Sequence, residues 1–163
     1  MRRRGASIGE IEALYRQHLP RFLRATAAIV GDEGLASDAV QDAFASAVKA
    51  RSSFRRDVAL EAWLWRIVIN AALQVRRGLR DEAESGAEVS VEMNGQLVED
   101  LAVRRWVALL PERQRLAVFL RYFADHLDYR SIAVALDVEV GTVSATLSAA
   151  HAALRHSAQE VEL

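Results

Sequence analysis

The chain has 163 residues, of which 52% are hydrophobic and 26% charged, and its formal net charge at pH 7 is -1. This length and composition suit one ordinary soluble domain or two small ones, and they exclude disorder throughout the chain. Because the sequence contains no cysteine, a disulfide framework, a thiol nucleophile and a cysteine zinc site are excluded too.

Three amphipathic segments come first in the chain. Apolar residues recur at helical spacing through residues 11–23, 36–48 and 60–72, so each segment can form a helix that buries one face. Asp57 precedes the third segment and is a candidate N-cap. We expect the three helices to close one small core.

The outer face of the second helix is mixed and mostly acidic. It carries Asp38, Gln41, Asp42 and Lys49. From the spacing alone, such a face is a solubilising surface.

The outer face of the third helix is polar and basic. Its stripe comprises Arg66, Asn70, Gln74 and Arg77, with Arg76 and Arg80 extending the positive charge. Spacing alone does not decide between a solvated face and one that tracks a nucleic-acid backbone. Trp65 and Ile69 are expected to point outward beside this stripe, whereas Trp63 lies on the inner side. An apolar pair next to a basic stripe favours a surface that meets bases or a protein.

An acidic segment follows the three helices. Residues 1–81 carry 14 basic and 9 acidic side chains, residues 82–100 carry no basic and 6 acidic ones, and residues 101–163 carry 7 of each. The middle block has no sustained helical period, which is typical of a flexible linker. The sequence thus predicts an all-α protein with small domains at residues 8–81 and 101–158, joined by a linker at 82–100. Relative motion of the two domains is the expectation.

The second domain has the pattern of a helix-turn-helix. Pro111 and Glu112 suit the first turn of a leading helix. Asp137 takes a turn position that tolerates a left-handed conformation, and the apolar residues on either side of it are Ile132, Ala133, Leu136, Val138, Val143 and Leu147. The second helix of the motif contains no Lys or Arg before Arg155. A helix that reads the major groove is usually basic or strongly polar, so the reading face is atypical.

Enzymatic chemistry is disfavoured. The four histidines, His18, His126, His151 and His156, lack metal-ligand spacing. No phosphate-binding glycine loop or nucleophile motif is present, so we expect no metal and no cofactor. No segment approaches about 18 uninterrupted apolar residues, so we expect a cytoplasmic protein without membrane insertion.

Four stretches carry a family resemblance. They are ASDAVQDAF, FRRDVALEAWLWRIVINAALQVRR, LPERQRLAVFLRY and DYRSIAVALDVEVGTV, in this order. Together they resemble regions 2 and 4 of the extracytoplasmic-function (ECF) sigma factors of bacterial RNA polymerase, and the likeness covers nearly the whole chain outside the linker. It implies two helical sigma domains, a nucleoid-associated location, and RNA polymerase core and promoter DNA as partners.

The resemblance also implies roles for residues of the first domain. The second helix would dock on the beta-prime clamp helices of polymerase through Asp38, Gln41, Asp42 and Phe44, while the second domain would meet the beta flap. The third helix and the loop before it would open and read the minus-10 element, with Asn70 the best candidate for a base contact. The other candidates there are Phe54, Arg55, Arg56, Trp65, Arg66, Gln74, Arg76 and Arg77.

The last helix departs from the family pattern. Where relatives commonly read GTVKSRLSRARARL, this chain reads GTVSATLSAAHAAL, so Ser144, Thr146, Ala149 and His151 stand where Lys or Arg is usual. Weak contacts to the minus-35 element are assigned to Arg130, Thr142, Ser144, Thr146, Ser148 and His151. Two hypotheses remain open. Either the chain is a sigma factor that relies mainly on region 2, or it is a sigma-like interaction protein. In the second case the uncharged last helix packs against an anti-sigma factor, another protein or its own region 2.

Overall fold

The computed structural model describes residues 4–84, 101–124 and 127–161. Within them the chain is all-α, as predicted, with helices α1 (Ile8–Val30), α2 (Glu33–Ala50), α3 (Leu60–Glu84), α4 (Leu101–Leu109), α5 (Glu112–Val118), α6 (Tyr129–Leu136) and α7 (Val140–Val161). A 3-10 turn, Arg51–Ser53, follows α2, and a π-helical turn, Phe119–Phe123, follows α5. Helix α3 extends three residues into the predicted linker, and the rest of that linker, residues 85–100, lies outside the described residues.

Polar side chains and one glycine set the ends of the first helices. Ser7 begins α1 with a reciprocal capping box, and Gly31 ends it in the left-handed conformation at φ 84°. The Asp32 carboxylate accepts the backbone N–H of Leu35 at 2.8 Å and begins α2. The predicted cap at Asp57 is wrong, because the first backbone hydrogen bond of α3 is accepted by the carbonyl of Ala59.

The buried face of α3 is rotated from the predicted one. Trp65 is 0% exposed, and its ring centroid lies 4.3 Å from that of Phe22 in α1. Trp63 is only half-buried and packs on Phe54, with 5.3 Å between the ring centroids. The outward placement of Trp65 and Ile69 is therefore wrong, because Trp65 fills the core of the first domain and Ile69 is also buried.

The two domains pack directly on each other. Helix α3 packs against α6, and the end of α1 packs against the π-helical turn. One continuous cluster of buried residues runs from Phe22 through Ile69 to Ile132 and Leu147. Ala28 of α1 also contacts a second buried cluster that includes Phe119 of the second domain. The faces predicted to bind polymerase and DNA therefore belong to two domains that are in direct contact.

Candidate nucleic-acid interface

The outer face of α2 is exposed as predicted. Asp38, Gln41 and Asp42 lie on one side of the helix, away from its buried face. Phe44 lies on the opposite side and is 7% exposed, with its ring in edge contact with Phe22 at 5.2 Å between centroids. The polar residues are thus available to a partner, whereas Phe44 supports the helix from the core.

The loop between α2 and α3 is held against the start of α1. Phe54 is buried at 3% exposure, and Arg56 adopts a left-handed conformation at φ 59°. The Arg56 guanidinium donates to the Glu10 carboxylate at 2.9 Å and to the Gly5 carbonyl at 2.8 Å. The Arg56 bonds are the largest cause that lowers the pKa of Glu10 from 4.5 to about 2. Arg56 therefore anchors the loop, whereas Arg55 is exposed beside it.

The polar stripe of α3 lies on the side of the helix away from the core of the first domain, as predicted. Arg66 and Asn70 are exposed, and Gln74 and Arg77 follow them along the same stripe. Together they provide two cations and two amides on one helix face, the groups that contact phosphates and base edges. Trp65 does not belong to this surface, because a side chain with no exposed area cannot stack on a base.

Two cations of the α3 face are ion-paired with the second domain. Arg66 Nη2 lies 3.3 Å from Asp137 Oδ2, at the turn of the helix-turn-helix. Arg76 Nη1 lies 3.4 Å from Glu112 Oε1, in the first turn of α5. Both arginines of α3 thus contact a carboxylate of the second domain.

Positive charge accumulates where α3 meets α5. Burial lowers the pKa of Arg76. The positive charges of Arg115 and Arg80 lower it further, whereas the Glu112 carboxylate opposes the shift. Burial also lowers the pKa of Arg115, whose Nε has no partner among the described residues. Arg76 and Arg115 thus both interact with the Glu112 carboxylate, and the positive charge of Arg80 repels both.

The turn of the helix-turn-helix has the predicted geometry. Asp128 caps α6 by accepting the Ser131 backbone N–H at 2.7 Å, and this bond lowers the pKa of Asp128. Asp137 ends α6 in the left-handed conformation, at φ 56° and ψ 49°. Val143 and Leu147 are buried beneath the turn. The predicted left-handed position of Asp137 is confirmed.

The predicted reading residues of α7 point in two directions. Ser144 and Ser148 are exposed to solvent. Thr142 and Thr146 line a cavity of about 260 Å³ against α3, opposite Asn70. Helix α7 therefore turns part of its uncharged face toward the polar stripe of α3.

The remaining candidates lie at the edges of the helix-turn-helix. His151 Nε2 lies 2.7 Å from the hydroxyl of Tyr122 and is partly buried. Arg130 is exposed on α6 and lines a groove of about 830 Å³, together with Arg55, Arg66 and Trp63 of the first domain. The groove is thus bordered by candidate residues of both domains.

In the described part of the chain, neither a cluster of metal ligands nor a single helix long and apolar enough to cross a membrane occurs. Within it, no group of His, Cys, Asp and Glu side chains is placed to hold a metal ion, and His126 lies outside the part described. By length and composition, none of the described helices could cross a membrane alone; Tyr129–Leu136 and Val140–Glu160 pass the same test only as a pair bent by 98°.

Family models match both domains. Residues 14–82 match sigma-70 region 2, and residues 100–154 match sigma-70 region 4. Two solved complexes share the fold, each with a TM-score of 0.70 and 21% identity. CnrH bound to the cytosolic domain of CnrY aligns over 95% of this chain and 91% of its own. RpoE bound to the anti-sigma factor NepR, from Bartonella quintana, aligns over 93% and 98%.

Curated relatives are similar over most of their length. The ECF RNA polymerase sigma-E factor of Escherichia coli K12 is 37% identical over 140 residues, which cover 75% of this chain and 73% of the relative. The ECF RNA polymerase sigma factor SigM of Mycobacterium tuberculosis strain Erdman is 34% identical over 156 residues, which cover 88% and 74%. With both sigma regions present in order, this chain belongs to the ECF sigma factors of the sigma-70 family and acts in transcription initiation.

Proposed function

We propose that the chain brings core RNA polymerase to promoters through two faces of its region 2, the α2 face for the polymerase and the α3 face for the minus-10 element. The observation that carries the proposal is the polar stripe Arg66, Asn70, Gln74 and Arg77 on one face of α3. It lies in the part of the chain that matches sigma-70 region 2. The proposed role is that of a transcription factor without enzymatic activity, acting in the cytoplasm at the nucleoid.

The polymerase contact is assigned to Asp38, Gln41 and Asp42. Their common side of α2, away from the core, supports docking on the beta-prime clamp helices. Phe44 has a supporting role, because its buried ring keeps α2 in place. The second domain is assigned to the beta flap.

The minus-10 contact is assigned to the polar residues of the α3 stripe, together with Arg55. Asn70 is the proposed base-reading residue, because its amide can both donate to and accept from a base edge. Trp63 replaces Trp65 as the aromatic candidate, since its ring is half-buried at the edge of the 830 Å³ groove. Phe54 and Arg56 are proposed to hold the loop that presents these groups.

The minus-35 contact is proposed to be weak. Ser144 and Ser148 are the exposed candidates on α7, and neither carries charge. Neutral contacts lack the counterion release that drives most phosphate binding. Promoter choice should therefore depend mainly on the minus-10 element.

An anti-sigma factor is the proposed regulatory partner. One of the structural neighbours is a sigma factor in complex with the anti-sigma factor NepR. The uncharged outer side of α7 is a candidate contact for such a protein. The other hypothesis, an interaction protein without promoter function, is not favoured, because both curated relatives are RNA polymerase sigma factors.

Run-off transcription with core polymerase tests the minus-10 assignment. Genomic fragments that initiate with the wild type are rebuilt with a scrambled minus-10 or minus-35 element. We expect initiation to fail only with the first. Asn70→Ala should lower transcription about 5- to 150-fold, as expected for a lost base contact of about 1–3 kcal/mol. Gln17→Ala is the matched control, because Gln17 is an exposed amide on α1 outside the assigned faces. Equal activity of the two variants would reject the assignment.

A binding assay tests the α2 face independently of DNA. Asp42→Ala is expected to weaken the affinity for core polymerase, whereas Glu12→Ala, an exposed carboxylate on α1, should leave it unchanged. The assignment fails when both variants bind core polymerase as tightly as the wild type.

A further inference from the structure

We infer that residues 5–10, which we call the N-terminal brace, fix the loop between α2 and α3 for promoter reading, with Glu10 as the positioning residue. This inference rests on the proposed minus-10 role of Arg55 and Trp63. It adds the part of the chain that holds these two side chains in place.

The brace lies against the backbone that leads into the loop. The Gly5 N–H donates to the Phe54 carbonyl at 2.8 Å, and the Ala6 N–H donates to the Arg51 carbonyl at 2.9 Å. Gly5 is buried at φ 83°, and a Cβ there would lie 3.2 Å from both the Arg51 carbonyl oxygen and Ser52 Cα. Glycine permits both the left-handed backbone and this close approach. The two distant stretches of backbone are therefore joined directly.

Side chains join the brace to the loop a second time. Arg56 Nη2 donates to Glu10 Oε2 at 2.9 Å, and Arg56 Nη1 donates to Glu10 Oε1 at 3.1 Å. Arg56 Nε donates to the Gly5 carbonyl at 2.8 Å. Glu10 Oε2 also accepts the Ser7 backbone N–H at 2.7 Å, as part of the capping box that begins α1. Because parallel charge-assisted bonds define an orientation as well as a position, one carboxylate aligns the loop with the start of α1.

The backbone of Arg56 needs this support. Its φ of 59° lies in the left-handed region, which is unfavourable for a residue with a Cβ. Such a conformation persists where the surrounding contacts hold it, and it is found often at functional sites. Without the bonds to Glu10 and Gly5, Arg56 should relax to a more favourable conformation. The direction of the neighbouring Arg55 would then change.

The same contacts support the aromatic side of the groove. The Arg56 guanidinium carbon lies 5.9 Å from the centroid of the Phe54 ring, within the range of a cation–π contact. The Phe54 ring packs in turn on Trp63, with 5.3 Å between the centroids. Arg55, Arg56 and Trp63 all line the groove of about 830 Å³. A series of contacts therefore leads from Glu10 to Trp63 and fixes the residue next to Arg55.

The negative charge of Glu10 gives the inference a distinctive sign. A carboxylate near a DNA-binding surface repels phosphates, so its removal alone should strengthen DNA binding. Its removal would also free the Arg56 guanidinium for a phosphate. Positioning predicts the opposite effect on promoter reading, because the loop loses its conformation with the Glu10–Arg56 pair. The direction of the change therefore distinguishes positioning from a simple electrostatic contribution.

Run-off transcription with the holoenzyme compares Glu10→Gln with the wild type. The promoters carry either the native minus-10 element or single-base changes in it. Glutamine can retain the capping box, so α1 should persist. The matched control is Glu12→Gln, which removes the same charge from Arg16–Glu12, an exposed pair within α1. We expect Glu10→Gln to lower transcription from the native element about fivefold or more and to weaken its preference over the changed elements.

The control should match the wild type in both transcription and preference. All three proteins should bind core polymerase with equal affinity, since α2 is unchanged, and this equality also shows that they are folded. A merely structural role of Glu10 would lower transcription from all elements alike. The preference for the native element is therefore the decisive readout.

A double-mutant cycle with Arg55→Ala tests how the effect of Glu10 is transmitted. Arg55→Ala should lower transcription by itself. Because Glu10 acts through the loop that carries Arg55, the loss in the double variant should be smaller than the product of the two separate fold-changes. Independent residues would give the full product.

Limited proteolysis of the free protein tests the brace without DNA. Trypsin cleaves after arginine, and in the wild type the Arg56 side chain is held by Glu10 and Gly5. Cleavage after Arg56, measured by mass spectrometry, should be faster in Glu10→Gln than in the wild type and in Glu12→Gln.

Each of four outcomes would overturn the inference: an unchanged preference in Glu10→Gln, a silent Arg55→Ala, a full product of the two fold-changes, or equal cleavage rates after Arg56. Stronger transcription by Glu10→Gln would assign to Glu10 the electrostatic effect instead. Asn70→Ala tests the minus-10 role of α3 separately, so the brace can fail while that assignment stands.

Discussion

Replacing Trp65 and Trp63 in turn distinguishes a core residue from a surface residue on the same helix. Trp65 is 0% exposed and packs on Phe22, whereas Trp63 is half-buried at the 830 Å³ groove. Truncation of a buried tryptophan to alanine costs about 3–5 kcal/mol. At about 2–4 °C per kcal/mol for a chain of this length, Trp65→Ala should lower Tm by about 6–20 °C. Trp63→Ala should cost only about 1 kcal/mol.

The conservative variant Trp65→Phe refines this prediction. The indole Nε1 of Trp65 is buried without a hydrogen-bond partner among the described residues. An unsatisfied buried donor costs about 1–3 kcal/mol, so its removal should offset most of the volume lost with the smaller ring. We expect Trp65→Phe to unfold within about 1 kcal/mol of the wild type in urea. The reasoning is refuted when Trp65→Ala unfolds like the wild type, or when Trp63→Ala is the less stable alanine variant.

Three further predictions concern helix ends and the loop anchor. The Glu10 pKa of about 2 lies below its usual 4.5, so the pair with Arg56 stabilises the fold above about pH 5 and is lost as pH falls toward 2. Urea midpoints of the wild type should therefore fall more steeply over this range than those of Glu10→Gln, and parallel curves would contradict it. Asp128→Ala should lower the free energy of unfolding in urea by about 1 kcal/mol, whereas Asp128→Asn should lower it less because asparagine also caps helices. Equal losses of stability in the two variants would argue against the cap. Gly5→Ala should lower the free energy of unfolding by about 1 kcal/mol or more, because Gly5 has φ +83° and an alanine Cβ would lie 3.2 Å from the Arg51 carbonyl oxygen. An unchanged Tm would contradict this strain.

The features that the sequence predicts well depend on local spacing. The polar stripe of α3 follows from residues about four apart on one helix, and its separation from the core of the first domain follows from the same period. The left-handed position of Asp137 follows from a turn of restricted length between two apolar segments. Both features agree with the structure because the physics that determines them lies within a few residues.

The features that the sequence misses depend on distant parts of the chain. Apolar residues occupy a wide sector of α3. Their spacing fits a helix that buries the whole sector, and it fits equally a helix that buries part of the sector and exposes the rest to solvent. Trp65 and Ile69 are both buried because α3 packs on α1 and α2 and also on α6. The Glu10–Arg56 pair joins residues 46 positions apart, so no local pattern indicates it.

The packing of the two domains leaves the face proposed for core polymerase free. Asp38, Gln41 and Asp42 of α2 are exposed while region 4 packs on α3. Core polymerase should therefore reach the α2 face without separation of the domains. The variant Asp137→Asn, Glu112→Gln, which removes two ion pairs between α3 and region 4, is expected to bind core polymerase as tightly as the wild type. A clear loss of affinity would show that the α2 contact depends on this packing.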